Sequence, residues 1–331
     1  MRHTTTAAAL LALAVTGGVA TVPATAHARQ ADTARAAWIK ACTDRHDTEY
    51  PCGPLRLLMS SGRERVVSGA AARAVDRRGR TTSDPARYAV SADGQWLVYE
   101  RAGDHRLVLR RVSGSPAREL PRSLVPKGIG TSDLWVSLSP SGDRVLVEYL
   151  EDAGREPSRV LTLATGAITK LPAREESLRF SGDGDEVLSG RILSDNTTRY
   201  TAHRLDGSAI RRVPPQAVAN SGTLALAADG HTVAALGPGN EQTGAKPRLR
   251  LYDLATGELS PAVEVAISPT VSVYSARWSG PDRLTVKTYT GGDGEAVKVR
   301  VVTVDVTTGA LEQEDRYTIR ARVGSWNTAG E

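Results

Sequence analysis

Several features that would assign a function are absent from this chain. It has no Gly-x-Ser-x-Gly, which places the nucleophile of α/β-hydrolases, and no His-Glu-x-x-His, which binds zinc in metallopeptidases. Aromatic residues make up only 5% of the sequence, and cysteine occurs twice. After residue 28 no segment approaches the about 18 unbroken apolar residues typical of a membrane-spanning helix. The sequence therefore predicts no catalytic residues and no membrane span beyond its first residues.

The first residues have the pattern of a secretory signal peptide. A short basic start precedes a largely apolar run over residues 7–20, and Ala26-His27-Ala28 then has the small-x-small pattern of a cleavage site. We predict a signal peptide over residues 1–28, with an uncleaved anchor helix as the alternative. The mature chain is then expected to be soluble and exported, either secreted or associated with the cell envelope.

The balance of charge is only mildly basic, with a formal net charge of +5. Of the 42 basic residues, 36 are arginine, a bias that together with abundant alanine and glycine is typical of actinobacterial high-GC genomes. The densest basic cluster, Arg73, Arg77, Arg78 and Arg80, has no interleaved aromatic residues that would stack on bases. We interpret this cluster as a solvated loop and predict no nucleic-acid partner.

Both cysteines, Cys42 and Cys52, lie near the start of the predicted mature chain. An even number of cysteines in an exported chain favours a disulfide, which would stabilise the fold by about 2–3 kcal/mol through loop closure. A metal site formed by Cys42, His46 and Cys52 is the alternative, but it lacks a fourth ligand. We predict the disulfide, within an N-terminal segment over residues 29–54 in which residues 33–41 form a short helix.

Six short glycine-containing turns recur at nearly fixed intervals along the chain. The spacings between consecutive glycines are 52, 52, 41, 50 and 52 residues. The six residues are Gly62, Gly114, Gly166, Gly207, Gly257 and Gly309. A period of this size indicates one supersecondary unit that is copied and stacked.

The repeated unit has the pattern of four short strands joined by tight turns. In the first complete copy, the turn Asp93-Gly94 separates two apolar strands, and the turn Ser113-Gly114 separates the next two. Four consecutive strands with such turns form an antiparallel meander. Residues 96–99 are apolar throughout, which is expected of a strand buried on both faces between neighbouring sheets. The sequence therefore predicts an all-β fold, a β-propeller of four-stranded antiparallel blades.

The two ends of the chain decide the number of blades. Residues 55–67 have the pattern of the outer half of a blade, with no inner strands before them, and residues 320–326 can supply an inner strand. We predict six blades over residues 55–326, the last built from both ends, followed by a tail over 327–331. Five blades with an N-terminal flap is the alternative.

This pattern resembles the WD40-like and TolB-like β-propeller repeats of exported bacterial proteins. The resemblance lies in Ser-Ala-Asp-Gly-Gln-Trp-Leu-Val-Tyr at 91–99, Ser-Pro-Ser-Gly at 139–142, Ala-Ala-Asp-Gly at 227–230 and Leu-Tyr-Asp-Leu-Ala-Thr-Gly at 251–257. It implies the propeller fold over most of the chain and no particular activity. The Trp-Asp dipeptide of strict WD40 repeats is absent, and Gly-His occurs once, at 230–231.

Aspartate recurs in the turn after the predicted inner strand, as Asp93, Asp183 and Asp229. An aspartate in such a turn bonds to the backbone of the turn itself, which explains the recurrence without a binding role. Segments 183–185 and 291–294 offer oxygen atoms to Ca²⁺, but neither has the number of ligands found in a calcium loop. We therefore predict no cofactor and no metal site.

Four aromatic residues fall at or near the predicted inner strands: Tyr88, Trp135, Phe180 and Trp278. One interpretation is core packing; the other is that they reach the central channel and form a ligand-facing surface. The leading functional prediction is a noncatalytic exported propeller that binds a protein, a peptide or a cell-envelope polymer. The alternative is a metal-dependent propeller hydrolase, of the lactonase or phytase type, with carboxylates at the channel mouth.

Overall fold

The computed structural model describes residues 32–150, 156–292, 295–319 and 322–331, so the predicted signal peptide lies outside the described residues. Within these residues the chain forms six four-stranded antiparallel sheets and one two-stranded hairpin. The chain is therefore a six-bladed β-propeller, as the repeat predicted. The alternative of five blades with an N-terminal flap is wrong.

The described chain begins with three strands of one blade and a short hairpin. These strands are β1 (Ala34–Thr43), β2 (Glu49–Met59) and β3 (Glu64–Val66), followed by the hairpin β4 (Arg73–Val75) and β5 (Thr81–Pro85). Blade 1 contains β6 (Tyr88–Val90), β7 (Trp96–Glu100), β8 (Leu107–Arg111) and β9 (Arg118–Glu119). Blade 2 contains β10 (Leu134–Leu138), β11 (Arg144–Tyr149), β12 (Arg159–Thr162) and β13 (Ile168–Lys170).

The remaining blades follow in the same order along the chain. Blade 3 contains β14 (Glu176–Phe180), β15 (Glu186–Ile192), β16 (Thr198–Arg204) and β17 (Ala209–Arg212). Blade 4 contains β18 (Thr223–Leu226), β19 (Thr232–Gly237), β20 (Arg248–Asp253) and β21 (Val263–Glu264). Blade 5 contains β22 (Ser272–Gly280), β23 (Arg283–Thr290), β24 (Val297–Asp305) and β25 (Leu311–Ile319), before the last strand β26 (Val323–Thr328). The described helices are short: two 3₁₀ helices, Arg122–Leu124 and Thr131–Asp133, and one α-helix, Gln216–Ala219.

The sixth blade, which we call the closing blade, combines strands from both ends of the chain. Its strand order is β26-β1-β2-β3, with β26 innermost. β26 and β1 run antiparallel, and Trp38 lies opposite Trp326 in their register. The sequence predicted this inner strand over residues 320–326, and the structure places it slightly later. Backbone hydrogen bonds between β1 and β26 therefore shut the ring.

The predicted helix over residues 33–41 is wrong, because β1 occupies this segment. Its alanine-rich sequence favours a helix locally. In the ring, however, β1 is the second strand of the closing blade, and Ala36, Ala37 and Ile39 are fully buried. Burial in the tertiary structure thus overrides the local propensity. The ring accordingly includes β1 and much of β2, which the sequence had assigned to a separate N-terminal segment.

Cys42 and Cys52 form the predicted disulfide. The two residues lie near the tip of the β1–β2 hairpin, where Cys42 is opposite Tyr50 and Cys52 is opposite Lys40. The bond therefore links the two strands of a hairpin in the closing blade. Because both sulfur atoms are used in this bond, the alternative metal site with His46 loses two of its three ligands.

Apolar side chains join each pair of neighbouring blades. Going round the ring from the interface between the closing blade and blade 1, the six clusters contain 14, 13, 5, 9, 13 and 8 buried residues among those described. Successive side chains of a strand contribute to different clusters: Leu97 and Tyr99 of β7 face the closing blade, and Val98 faces blade 2. This alternation explains why the strand is apolar throughout.

The two faces of the ring carry different connections. Because strand direction alternates within each blade, the turns after the first and third strands lie on one face, and all other connections lie on the opposite face. The first face carries the tight glycine turns, and we call it the tight-turn face. The second carries the β4–β5 hairpin, the α-helix and the disulfide, and we call it the loop face. The inner strands begin at the loop face and end at the tight-turn face.

The recurring aspartates cap their own turns on the tight-turn face. Asp93 Oδ1 accepts a hydrogen bond from the backbone N–H of Gln95 at 2.9 Å, and Asp183 Oδ1 accepts one from Asp185 at 3.2 Å. Asp229 accepts two backbone N–H bonds within its turn in the same way. These contacts give the aspartates a structural role, as the turn chemistry predicts.

The turn glycines differ in how closely a neighbouring blade approaches them. Gly309 has a φ of +70°, and a Cβ atom there would collide with the carbonyl oxygen of Glu264 in blade 4. Gly62 holds the corresponding position in the closing blade with a φ of +80°, but a Cβ atom there would meet nothing within 4 Å. Both glycines therefore adopt a positive φ, and of these two only Gly309 is crowded by a neighbouring blade.

We expect Gly309→Ala to lower the free energy of unfolding more than Gly62→Ala does. Both variants force a residue with a Cβ atom into the left-handed region, at a cost of about 1–2 kcal/mol. Gly309→Ala adds crowding against blade 4, which costs about 1–3 kcal/mol more. Urea unfolding followed by tryptophan fluorescence measures both losses. Equal losses would contradict the close approach of blades 4 and 5.

Candidate functional site

A cavity of about 330 Å³ lies in the central channel. Its walls come mainly from the inner strands β10 and β14, with a contribution from β22. The charged side chains that line it are Glu148, Arg179, Arg277 and Glu331. The cavity therefore combines residues of blades 2, 3 and 5 that are far apart in the sequence.

Trp135 and Phe180, two of the four aromatic residues that the sequence singled out, both line this cavity. Trp135 lies near the start of β10, toward the loop face, and is 43% exposed. Phe180 is the last residue of β14, toward the tight-turn face. The structure thus brings these two side chains to one cavity, with one toward each end of the channel.

Tyr88 and Trp278, the other two, lie in the apolar interfaces between blades, and each is 4% exposed. The Tyr88 hydroxyl is 2.7 Å from Ser325 Oγ, and burial raises the pKa of Tyr88. Trp278 Nε1 donates to the carbonyl oxygen of Ala225 at 3.0 Å. Both polar atoms have partners, as is usual for a buried tyrosine or tryptophan. For these two residues the structure agrees with the core-packing interpretation.

Glu148 brings a largely buried carboxyl group to the cavity. It lies on β11 directly opposite Trp135, and its Oε1 accepts a hydrogen bond from the backbone N–H of Ser177 at 3.1 Å. Burial raises the pKa of Glu148 to about 7, because backbone N–H bonds from Ser177 and Leu178 offset the loss of water only in part. This carboxyl therefore changes its charge near neutral pH.

The backbone beside Glu148 is distorted at Ser177. This residue has a φ of +55°, in the left-handed region that residues other than glycine rarely adopt. The register of β14 with β15 also shifts between Glu176 and Arg179. Strain of this kind concentrates at functional sites. In this chain the strained residue is Ser177 itself, whose N–H group, with that of Leu178, bonds to the Glu148 carboxylate.

The arginines of the cavity balance its acidic groups. Arg277 Nη1 donates to the carbonyl oxygen of Trp278 at 2.9 Å, and burial lowers the pKa of the Arg277 guanidinium. Arg179 is exposed on β14. Burial raises the pKa of Glu331, whose carboxyl accepts a hydrogen bond from Ser275. The lining thus offers an apolar surface together with groups of both charges.

Sequence reasoning found the aromatic wall of the cavity but missed its charged groups. Glu148, Arg179 and Arg277 belong to three blades, and no local spacing connects them. One feature of the sequence could have revealed Glu148. The tight turn at 141–142 sets the register of blade 2 and so places Glu148 opposite Trp135. The strain at Ser177 has no counterpart in the sequence pattern.

A buried cluster in blade 3 contains Ser189, His203 and Glu175. Ser189 Oγ donates to Glu175 Oε2 at 2.6 Å and lies 2.9 Å from His203 Nε2. In a hydrolase triad the acid bonds to the histidine, and the serine is open to the substrate. Here the acid bonds to the serine, and Ser189 is only 1% exposed. The arrangement is therefore not that of an activated nucleophile.

Among the described residues, no group of three or more His, Cys, Asp or Glu side chains is placed so that it could hold a metal ion. Of the two segments considered for Ca²⁺, 183–185 forms a capped turn, and 291–294 lies partly outside the described residues. None of the described helices has the length and apolar character needed to cross a membrane.

No protein-family model matches the chain, and no curated protein matches it. Among solved structures, a candidate TolB from Agrobacterium tumefaciens has a TM-score of 0.48 at 15% identity, covering 91% of this chain and 92% of that chain. TolB from Acinetobacter baumannii has a TM-score of 0.48 at 14% sequence identity, covering 89% of this chain and 66% of that chain. The β-propeller domain of the Trilobed protease from Pyrococcus furiosus has a TM-score of 0.47 at 10% sequence identity, covering 89% of this chain and 94% of that chain. These scores carry no argument about function, and the fold assignment rests on the strand order.

Glu148→Gln is expected to change the pH dependence of stability. A carboxyl whose pKa is raised in the folded state contributes stability fully below its unfolded pKa near 4.5, and this contribution is lost as the pH rises through about 7. The wild type therefore loses up to about 3 kcal/mol from this group over that interval, and the glutamine variant does not.

Urea unfolding at about pH 5 and about pH 8 measures this difference. The stability of Glu148→Gln relative to wild type should rise between the two pH values. Glu258→Gln, at an exposed turn position of blade 4, is the control and should show no such change. A constant difference between Glu148→Gln and wild type would contradict the burial of this carboxyl.

Proposed function

We propose that the chain is an exported, noncatalytic binding scaffold that holds a peptide segment of a partner protein at the loop-face mouth of its central channel. The observation that carries the proposal is the placement of the exposed apolar side chains. The predicted signal peptide, which lies outside the described residues, supports the export part of this proposal.

All five exposed large apolar side chains among the described residues lie at strand ends on the loop face. They are Val66, Trp135, Leu150, Ile192 and Val213. Single exposed apolar side chains are common on proteins, whereas neighbouring ones are typical of a binding surface. Trp135 and Leu150 also line the central cavity. The proposed binding surface is therefore the channel mouth with Trp135 and Leu150, and Val66, on the outermost strand of the closing blade, lies outside it.

The size and lining of the cavity favour a peptide side chain as its occupant. A volume of about 330 Å³ lies at the lower end of the range for ligand pockets, so it accepts one or two side chains. Trp135 is 43% and Leu150 is 38% exposed, and both offer apolar contact at the mouth. Tryptophan is among the residues that contribute most to binding energy in protein interfaces. Glu148 and Arg179 add groups that bond to a polar peptide backbone.

Trp135→Ala is expected to weaken peptide binding, because it removes the aromatic anchor. A displayed library of short random peptides, selected on the folded protein, supplies the probe. The enriched peptides should share an apolar anchor residue, and their affinity for Trp135→Ala should fall by at least about tenfold.

Val66→Ala is the matched control for this experiment. Val66 is 49% exposed on the loop face but lies on the outermost strand of its blade and does not line the cavity. Its variant should change peptide affinity by less than about twofold. Failure to enrich any peptide, or an equal loss in both variants, would contradict the proposed site. Cleavage of the bound peptide with Ca²⁺ or Mn²⁺ present would contradict the noncatalytic role.

A further inference from the structure

A second cavity, of about 520 Å³, lies between the outer strands of blades 2 and 3. Blade 2 contributes Thr169 and Lys170 of β13, and blade 3 contributes residues of β15, β16 and β17. We call this cavity the basic cleft. The apolar cluster between these two blades is the smallest of the six, with five buried residues among those described. At the other interfaces apolar side chains fill the space between the blades, whereas between blades 2 and 3 this space is open and lined by polar groups.

Cationic side chains dominate the lining of the basic cleft. They are Lys170, Arg191, Arg199, Arg204 and Arg211, against the single carboxylate of Glu175. Glu175 is already engaged, since its Oε1 accepts from Arg199 at 3.2 Å and its Oε2 accepts from Ser189 at 2.6 Å. Within the described ranges, Lys170, Arg191 and Arg211 take part in no ion pair. The cleft thus carries a positive charge that the protein does not neutralise.

The strand register of blade 3 places like charges side by side. Arg191 of β15 lies directly opposite Arg199 of β16, and Arg211 of β17 lies directly opposite Thr201. These residues share the sheet face toward blade 2, because all of them line the cleft. Like charges opposite each other on neighbouring strands destabilise a sheet. A bound anion would offset this repulsion.

The buried side chain of Thr201 is a second, independent indication of a ligand in the basic cleft. This side chain is 2% exposed and lines the cleft, yet Oγ1 has no hydrogen-bond partner among the described residues. Nε of the neighbouring Arg199 also lacks a partner in this part of the chain. Buried polar atoms are rarely left without a partner in folded proteins. Two unpartnered donors at the wall of a cationic cleft therefore point to an oxygen-rich ligand.

We propose that the basic cleft binds a tetrahedral oxyanion, a phosphate or sulfate group. Arg191, Arg199 and Arg211 supply the charge, and the fork of a guanidinium group matches the oxygens of such an anion. The Thr201 hydroxyl and Arg199 Nε donate hydrogen bonds to its oxygens. The volume of the cleft leaves room for an organic remainder, so the oxyanion is recognised either free or as an ester.

Calorimetric titration of the full chain in low-salt, phosphate-free buffer tests the proposal, because salt screens exposed charges. The probes are inorganic phosphate, inorganic sulfate and glucose 6-phosphate, with sodium chloride at matched ionic strength as the negative control. We expect saturable binding of the oxyanions and none of chloride. Tighter binding of glucose 6-phosphate than of phosphate would identify an ester ligand, and equal binding would identify the free anion.

The double variant Arg191→Gln/Arg211→Gln should weaken phosphate binding at least about tenfold, because it removes two unpaired charges from the cleft. The matched control is Arg118→Gln/Arg300→Gln, which removes the same charge from exposed positions on blades 1 and 5. This control should change the affinity less than about twofold. Equal losses in the two double variants would show a general charge effect and overturn the site.

Thr201→Val separates ligand binding from folding. This variant removes the unpartnered hydroxyl with little change of shape, so without phosphate it should unfold at a higher temperature than wild type. With phosphate present, its unfolding temperature should rise less than that of wild type. Absence of any phosphate-specific binding to wild type would overturn the proposal. Unchanged binding in both Thr201→Val and the arginine double variant would overturn it equally.

Discussion

The structure depends on the burial of both faces of every sheet. A four-stranded sheet that is apolar on both faces is not stable alone in water, and each blade here is covered by a neighbour on either side. The division of β7 between two clusters, with Leu97 facing one neighbour and Val98 the other, shows the arrangement within a single strand. Because β26 pairs with β1, the sixth blade is complete and the ring of packed blades is closed. Without this pairing, the closing blade would lose its innermost strand.

The interface between blades 2 and 3 departs most from this arrangement. Its apolar cluster is the smallest, and polar groups take the place of core: Glu148 beside the channel, and the Ser189, His203 and Glu175 cluster farther out. The central cavity and the basic cleft both border blade 3. A nearly regular ring therefore has one side where burial is incomplete, and both proposed binding sites lie there. The strained backbone at Ser177 belongs to the same blade.

Much of the fold could be predicted from the sequence, because turn chemistry and apolar strands act locally. The six turn glycines indicated the repeated unit, and the strand-like patterns at the two ends indicated the number of blades and the closure. The helix predicted over residues 33–41 failed, because its alanines favour a helix in isolation but fit the crowded inner part of the closing blade as a strand. The candidate site was predictable only in part. Trp135 and Phe180 could be suspected from their strands, but Glu148 and Arg277 meet in the channel through the ring, which no local pattern reveals.

The closure of the ring by β1 and β26 is the central claim, and native-state hydrogen exchange measures it most directly. If the pairing completes the burial of every blade, the backbone amides of β26 and of its partner β1 should exchange only through global unfolding, with the same free energy as those of β7 and β23. Their protection should disappear together with that of the central strands as denaturant is added. Exchange of the β26 amides at a much lower free energy, while β7 and β23 remain protected, would show that the ring is stable without its closure and would contradict the account.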